Sequence, residues 1–226
     1  RVLSLGEQEF RVHDVGNPGL DRLMEVEELS LAQVSGNIKF QLLETEPYLI
    51  LIQHPLSSEI KDAYRQMKIT LDAIKAMGIK TIISFPNSDA GGLEIIRAIA
   101  EYDSLPFIYT AKNIPRVDFV NLLRNAACLV GNSSSGILEA PMLKLPVVNV
   151  GNRQIGRLHA ENVQFVSHDQ DEIISAIQKA VYDESYISSV NGCSNPYGNG
   201  VSSHKIAEII ANTVIDDNLL IKDITY

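Results

Sequence analysis

The chain has 226 residues, 45% hydrophobic and 21% charged, which suits a globular protein of one or two domains with a sizeable buried core. Its net charge of −9 argues against a nucleic-acid surface, which needs a basic stripe, but leaves room for a local cluster that binds one small anion. No apolar run reaches about 18 residues, so no membrane span is expected. Only Cys128 and Cys193 are present, the first in an apolar run, which points to free thiols in a reducing, cytoplasmic setting.

Arg1 brings neither methionine nor a signal-peptide n-region, so the chain reads as a piece of something longer. Residues 1–7 look like the end of a helix stopped by Gly6. Residues 11–15 read as a short strand running into the turn Gly16-Asn17-Pro18-Gly19. Residues 20–31 carry a helical pattern, followed by a polar connection to Pro47. Composition and period both change there, which places a boundary near residues 45–48.

From Tyr48 onward strands and helices alternate. Strands are expected over 48–53, 80–85, 107–110, 127–130, 146–150 and 163–166. Helices are expected over 58–77, 93–102, 115–125, 135–143, 169–183 and 201–214, while residues 216–226 take no assignment. Short apolar strands, most followed by a helix, predict an α/β fold with a doubly wound, Rossmann-like parallel sheet covered on both faces. Ligands bind such sheets in the crevice at the carboxyl ends of the strands. The polar turns of interest all fall at those ends: His54, the loop around Asn87, residues 110–115, the serine turn after Val130, and the loop holding Arg153.

The serine turn organises the chain. Gly131-Asn132-Ser133-Ser134-Ser135-Gly136 lies between an apolar run and a helical pattern that begins at Ile137. Serine is a good helix N-cap, and a helix N-terminus with open N–H groups attracts phosphate. Glu139, about one turn in, can accept two hydrogen bonds from a sugar diol and should face away from phosphate. His54 stands just before Pro55 and can bind phosphate as imidazolium or shuttle a proton near neutral pH. Asn87 can bond a ligand oxygen, whereas Asp89 reads as the N-cap of the next helix. Arg153 and Arg157 carry guanidinium groups suited to phosphate or carboxylate.

No Gly-x-Gly-x-x-Gly follows a strand and no P-loop is present, so no nicotinamide or P-loop nucleotide site is indicated. The five histidines show no metal spacing, and no cofactor is expected. The serine turn also lacks the second glycine of the Gly-x-Ser-x-Gly nucleophile elbow, so a serine hydrolase has little support.

The same residues resemble the UDP-N-acetylglucosamine 2-epimerase family, closest to its hydrolysing branch. The resemblance is carried by Gln53-His54-Pro55, by Phe85 to Gly91, by Gly131 to Gly136 with Glu139, by Pro146 to Arg157, and by Glu161-Asn162-Val163. It covers most of residues 48–200. It implies the C-terminal domain of a two-domain GT-B fold, with residues 1–47 as the tail of the first domain and the interdomain connection, 48–215 as the UDP-binding domain, and 216–226 as a tail. It further implies that Ser133 and Ser134 hold the diphosphate and Glu139 the ribose. Lys112, Asn113 and Ile114 meet the uracil, largely by backbone. His54 assists the departure of UDP, and Asn87 and Arg153 complete the pocket.

The implied reaction eliminates UDP across C1–C2 of the sugar and then adds water, with acid and base carboxylates from the missing N-terminal domain. A UDP-sugar and that domain are thus the expected partners, and a homo-oligomer is the family's habit. Asn199 departs from the Asp that relatives often carry in Asn-Pro-Tyr-Gly-Asp-Gly. Alternatives are a non-hydrolysing epimerase, a UDP-diacetylbacillosamine 2-epimerase, a GT-B glycosyltransferase, or a non-catalytic nucleotide-sugar binding module.

Overall fold

A computed structural model describes residues 1–222; the end of the expected tail, 223–226, lies outside the described residues. The chain divides into two compact units, one of residues 26–196 and one that joins residues 1–25 to those from Tyr197 onward.

The second of these units is short-ranged in structure. It holds three 3₁₀ turns, at Leu3–Leu5, Glu9–Arg11 and Pro18–Leu20, then α1 at Asp21–Met24. The strand expected over 11–15 does not form. Val12 is extended, but among the described residues no strand lies beside it, and an unpaired strand leaves its N–H and C=O groups without partners. The helix expected over 20–31 ends at Met24 instead, and a separate helix, α2, spans Leu31–Ile38. Ser30 explains the restart. Its hydroxyl accepts from the Gln33 N–H at 3.3 Å, while Gln33 Oε1 accepts from the Ser30 N–H at 2.9 Å, a reciprocal capping box.

In the larger unit α2 packs on α5, Arg116–Asn125, although it falls in the stretch read from sequence as a connection. Six strands form one parallel sheet: β1 Tyr48–Ile52, β2 Lys80–Ser84, β3 Ile108–Ala111, β4 Cys128–Gly131, β5 Val147–Val150 and β6 Val163–Val166. Their order is β3-β2-β1-β4-β5-β6. This is the doubly wound Rossmann order, and the expected fold class holds. All five residues of β1, Tyr-Leu-Ile-Leu-Ile, are buried, as a central strand covered on both faces requires. On one face α3, Ala63–Met77, packs against α4, Gly92–Ala100, and against α7, Gln170–Tyr182. The Cys128 thiol is buried in β4, which pushes its pKa up to about 12 and makes it an inert core group.

Two further local differences have clear causes. The helix expected over 135–143 is a four-residue α6, Ser135–Leu138. Pro141 lacks an N–H and disfavours helical backbone at Ala140, so the helix cannot continue. Beyond α7 the chain forms α8, Glu184–Gly192, a stretch to which the sequence pattern assigns no element. Asp183 caps it, accepting from the N–H groups of Ser185 and Tyr186 at 2.9 and 3.0 Å. The final helices are α9, Ser202–Asn212, and α10, Asp217–Leu220. Among the described residues no helix is long and apolar enough to cross a membrane.

The start of α9 gives a pH prediction. The Asp21 carboxylate accepts from the Ser203 hydroxyl and from the N–H groups of Ser203 and Ser202, the last two at 2.6 and 3.0 Å. These bonds, the Ser203 hydroxyl first, hold its pKa below the ordinary carboxylate value. Its contribution is therefore present above the unfolded pKa of about 3.9 and is lost as pH falls through the lower folded value. Asp21→Asn should be less stable at pH 7 and should lose less than wild type between pH 5 and pH 2, as read by urea unfolding. Equal acid sensitivity in the two proteins would show that Asp21 contributes nothing to it.

Candidate functional site

The direction of winding reverses between β1 and β4, which lie side by side with Ile52 opposite Gly131. In doubly wound sheets the crevice at such a reversal is where ligands bind. Here the chain leaves β1 through Gln53 and His54 and leaves β4 through Asn132 and the serines. Gly131 makes this close approach feasible: its φ is +115°, and a Cβ on it would lie 2.7 Å from the Ile52 carbonyl carbon.

Asn132, only 5% exposed, ties the two strand ends together. Its side-chain Oδ1 accepts from the His54 N–H at 2.7 Å, and its Nδ2 donates to the His54 carbonyl at 2.9 Å. Its own carbonyl accepts from Arg153 Nη1 at 3.1 Å and from the buried Gln154 Nε2 at 2.8 Å. The structure thus brings His54, the serine turn and Arg153 to one hydrogen-bonded cluster.

The half-buried His54 ring is oriented from the other side by the Asn87 backbone N–H, which donates to Nδ1 at 3.0 Å. A ring nitrogen that accepts carries no proton, so the neutral ring is protonated at Nε2. Burial lowers the His54 pKa, and the nearby Arg153 charge lowers it further against an opposing pull from Asp89. Burial and Arg153 thus both disfavour the imidazolium in the ligand-free protein, and in the neutral ring Nδ1 accepts while Nε2 carries the proton as a donor.

Asn87 is exposed, and its side-chain Nδ2 donates to Asp89 Oδ2 at 2.6 Å. This overturns the capping role read for Asp89. The cap position of α4 is Gly91, which carries no side chain to bond, and the Asp89 carboxylate turns back to Asn87 instead.

Ser133 and Ser134 are half-buried at the start of α6. The Ser133 hydroxyl accepts from the Ser135 N–H at 3.3 Å. Ser134 holds the cap position in helical conformation and makes no side-chain cap bond, so the capping expected of the serines rests on Ser133 alone. The backbone N–H groups of Ser133 and Ser134 donate to no backbone acceptor among the described residues. Glu139 sits half-buried at the end of α6, one turn from the serines. Lys112, Asn113 and Ile114 follow β3, on the same edge of the sheet but two strands over from β1, about 10 Å at the usual strand spacing. Arg157 is exposed and Arg153 half-buried.

Asn132 and Gln154 are the members of the cluster that sequence reasoning missed. The available signal was their position: Asn132 follows a buried strand directly, and Gln154 adjoins Arg153. Among the described residues no group of three or more His, Cys, Asp or Glu side chains is placed to hold a metal ion.

Comparison with known proteins adds independent findings. A family model described as UDP-N-acetylglucosamine 2-epimerase matches residues 1–211. The chain is 32% identical over its whole length to a UDP-N,N'-diacetylbacillosamine 2-epimerase (hydrolyzing) of Legionella pneumophila, of which it covers 58%. It is 31% identical over 180 residues, 80% of its length, to a UDP-N-acetylglucosamine 2-epimerase of Neisseria meningitidis, of which it covers 47%. It thus spans about half the length of these curated relatives. A crystal structure of the Neisseria meningitidis UDP-GlcNAc 2-epimerase bound to UDP-GlcNAc superposes with a TM-score of 0.76 at 18% identity, covering 94% of this chain and 58% of that one. The fold is that of one Rossmann-like half of a GT-B protein.

Proposed function

The chain belongs to the UDP-N-acetylglucosamine 2-epimerase family, and we propose that it is the UDP-binding half of a hydrolysing member. The observation that carries this reading is the cluster at the β1–β4 reversal. An Nε2–H donor on His54, the Arg153 guanidinium, two serine hydroxyls and two open serine N–H groups surround one crevice. Beyond the one Arg153 bond to the Asn132 carbonyl, this is a surplus of donors over acceptors, the complement of a diphosphate.

In this reading the serine turn and Arg153 hold the diphosphate, Glu139 takes the ribose hydroxyls, and residues 112–114 meet the uracil through their backbone. Asn87 acts chiefly through its main-chain N–H, which orients His54. The C1–O bond of the sugar breaks with its electrons leaving on UDP, while C2 gives up its proton. His54, neutral and donating, stabilises the charge that grows on the departing phosphate oxygen. Water then adds to the unsaturated sugar and the 2-epimeric free sugar leaves. The carboxylates that move the protons at C2 and on the water belong to the part of the protein outside this chain.

The hydrolysing branch is supported by the whole-length match to an enzyme whose name says so. That same match favours a UDP-diacetylbacillosamine substrate as the second reading beside UDP-N-acetylglucosamine. Calorimetry of UDP with this chain tests the site. UDP should bind, and Ser133→Ala/Ser134→Ala should weaken it by about tenfold or more, since two hydroxyl hydrogen bonds to an anionic diphosphate are lost. Equal affinity in the two proteins would remove the diphosphate from the serine turn. Assay of the longer protein for UDP release from each of the two UDP-sugars then separates the substrates.

A further inference from the structure

The geometry points to Asn132 as a positioning residue whose side-chain amide sets His54 and whose main-chain carbonyl, carried on the same strand end, anchors the Arg153 guanidinium. The inference rests on the diphosphate reading of the crevice but concerns a residue that reading leaves without a role. Every polar group of Asn132 is engaged. Its N–H donates to the Ile52 carbonyl at 3.0 Å, its side-chain amide takes both main-chain groups of His54, and its carbonyl holds Arg153 and Gln154. One residue thus grips the end of β1 at two points and the loop after β5 at two more.

No other side chain reproduces this. The grip on His54 needs one acceptor and one donor at fixed separation, which only a primary amide supplies. Asp would set two acceptors against each other at the His54 carbonyl, and Ser is too short to span both groups. Glutamine carries the amide one methylene too far. The neighbouring Gly131, at φ +115°, lets the backbone approach closely enough for the asparagine to reach.

The His54 ring inherits its position from this grip, because its backbone is held by Asn132 and its Nδ1 by the Asn87 N–H. Removing the amide therefore frees the Nε2–H donor directly and the guanidinium through the backbone, because Arg153 is anchored on the main-chain carbonyl of residue 132 and shifts as that strand end relaxes. The charged groups that act on His54 are Arg153 and Asp89. A carboxylate at position 132 adds a negative charge against the His54 main chain and favours the imidazolium, whose Nδ1–H then opposes the Asn87 N–H.

The test uses the 226-residue chain with Asn132→Asp and Asn132→Ser, the second removing the amide without adding charge. Two readouts are independent of each other. Nitrogen-edited NMR of the ligand-free protein reports the His54 tautomer and pKa, and calorimetry reports UDP affinity. Wild type should show the Nε2–H tautomer. Asn132→Asp should raise the His54 pKa, and Asn132→Ser should mix the tautomers. Each variant should lose about tenfold or more in UDP affinity, and Asn132→Ser combined with Arg153→Ala should lose less than the product of the two single losses, as coupled sites do.

Folded variants that keep the wild-type tautomer and pKa overturn the proposal, and so do losses in UDP affinity that simply multiply. If wild type fails to bind UDP while the variants still shift His54, the diphosphate reading falls and the positioning role of Asn132 stands.

Discussion

Gly131→Ala should destabilise the chain by roughly 2–6 kcal/mol and abolish binding at the serine turn, the largest stability loss expected of any single methyl added here. Two costs combine. At φ +115° an alanine is strained by about 1–3 kcal/mol. The new Cβ would also collide with backbone, lying 2.7 Å from the Ile52 carbonyl carbon and 3.2 Å from the Gln53 nitrogen, and overpacking of this kind costs about 1–3 kcal/mol more.

Backbone of a central strand cannot swing aside as a long side chain can. Relief must come from parting β1 and β4 at the pair Ile52 and Gly131, which breaks the Asn132 N–H bond to Ile52 as well. Urea unfolding gives the stability and calorimetry gives UDP affinity. A loss under about 1 kcal/mol would mean that the strand ends adjust freely, and that the close approach is not required.

Arg153→Ala carries the largest expected loss of affinity among the side chains facing the crevice, about 10- to 100-fold for UDP. A charge-assisted bond contributes about 1.5–3 kcal/mol, twice a neutral one. Stability should hardly change, because Gln154 still donates to the Asn132 carbonyl when the guanidinium is gone. The His54 pKa should rise, since one of the two influences that depress it is removed while burial remains. Arg153→Lys keeps the charge but not the planar fork and should fall between the two. Wild-type and Arg153→Ala titrations at low and high salt check the assignment, the gap narrowing as salt screens the charge. Affinity within twofold of wild type would place Arg153 outside the diphosphate contacts.

Local pattern carried much of the architecture. Tyr48 to Ile52 is a continuous apolar run between Pro47 and a polar exit, and such a run has one stable home, the middle of a parallel sheet. The alternation of these runs with helical periods gave the winding, and the polar turns fell at the carboxyl ends as the topology demands. Around residues 11–31 the same reasoning failed, because strand formation at 11–15 depended on a partner strand that the described residues do not provide. The helix boundary at Ser30 was marked by a Ser-x-x-Gln pattern in plain view, masked by the apolar periodicity on either side.

The cluster at the crevice was legible in its parts and not in its wiring. His54, Ser133 and Arg153 stand out by residue type. Asn132 does not, since an asparagine after a strand commonly serves its own turn. Its partners lie 78 and 21 residues away along the chain, and only folding brings them within reach. The same holds for the His54 charge state. Nothing near position 54 in the sequence shows that the Asn87 N–H will fix the ring as a neutral donor.

The capping of α9 by Asp21 also bears on how this protein is made. The two residues joined there, Asp21 and Ser202, are 181 positions apart. Residues 1–25 leave the ribosome before residues past 197, so Asp21 cannot make these bonds until the latter are synthesised, whereas the six-stranded sheet closes on itself using only residues 26–196. Chains are extended at about 5–20 residues per second, so the Asp21 carboxylate waits for roughly ten seconds or more before its Ser202 and Ser203 partners exist. The link from Asp21 to Ser202 and Ser203 is therefore made only after every residue of the sheet has been synthesised.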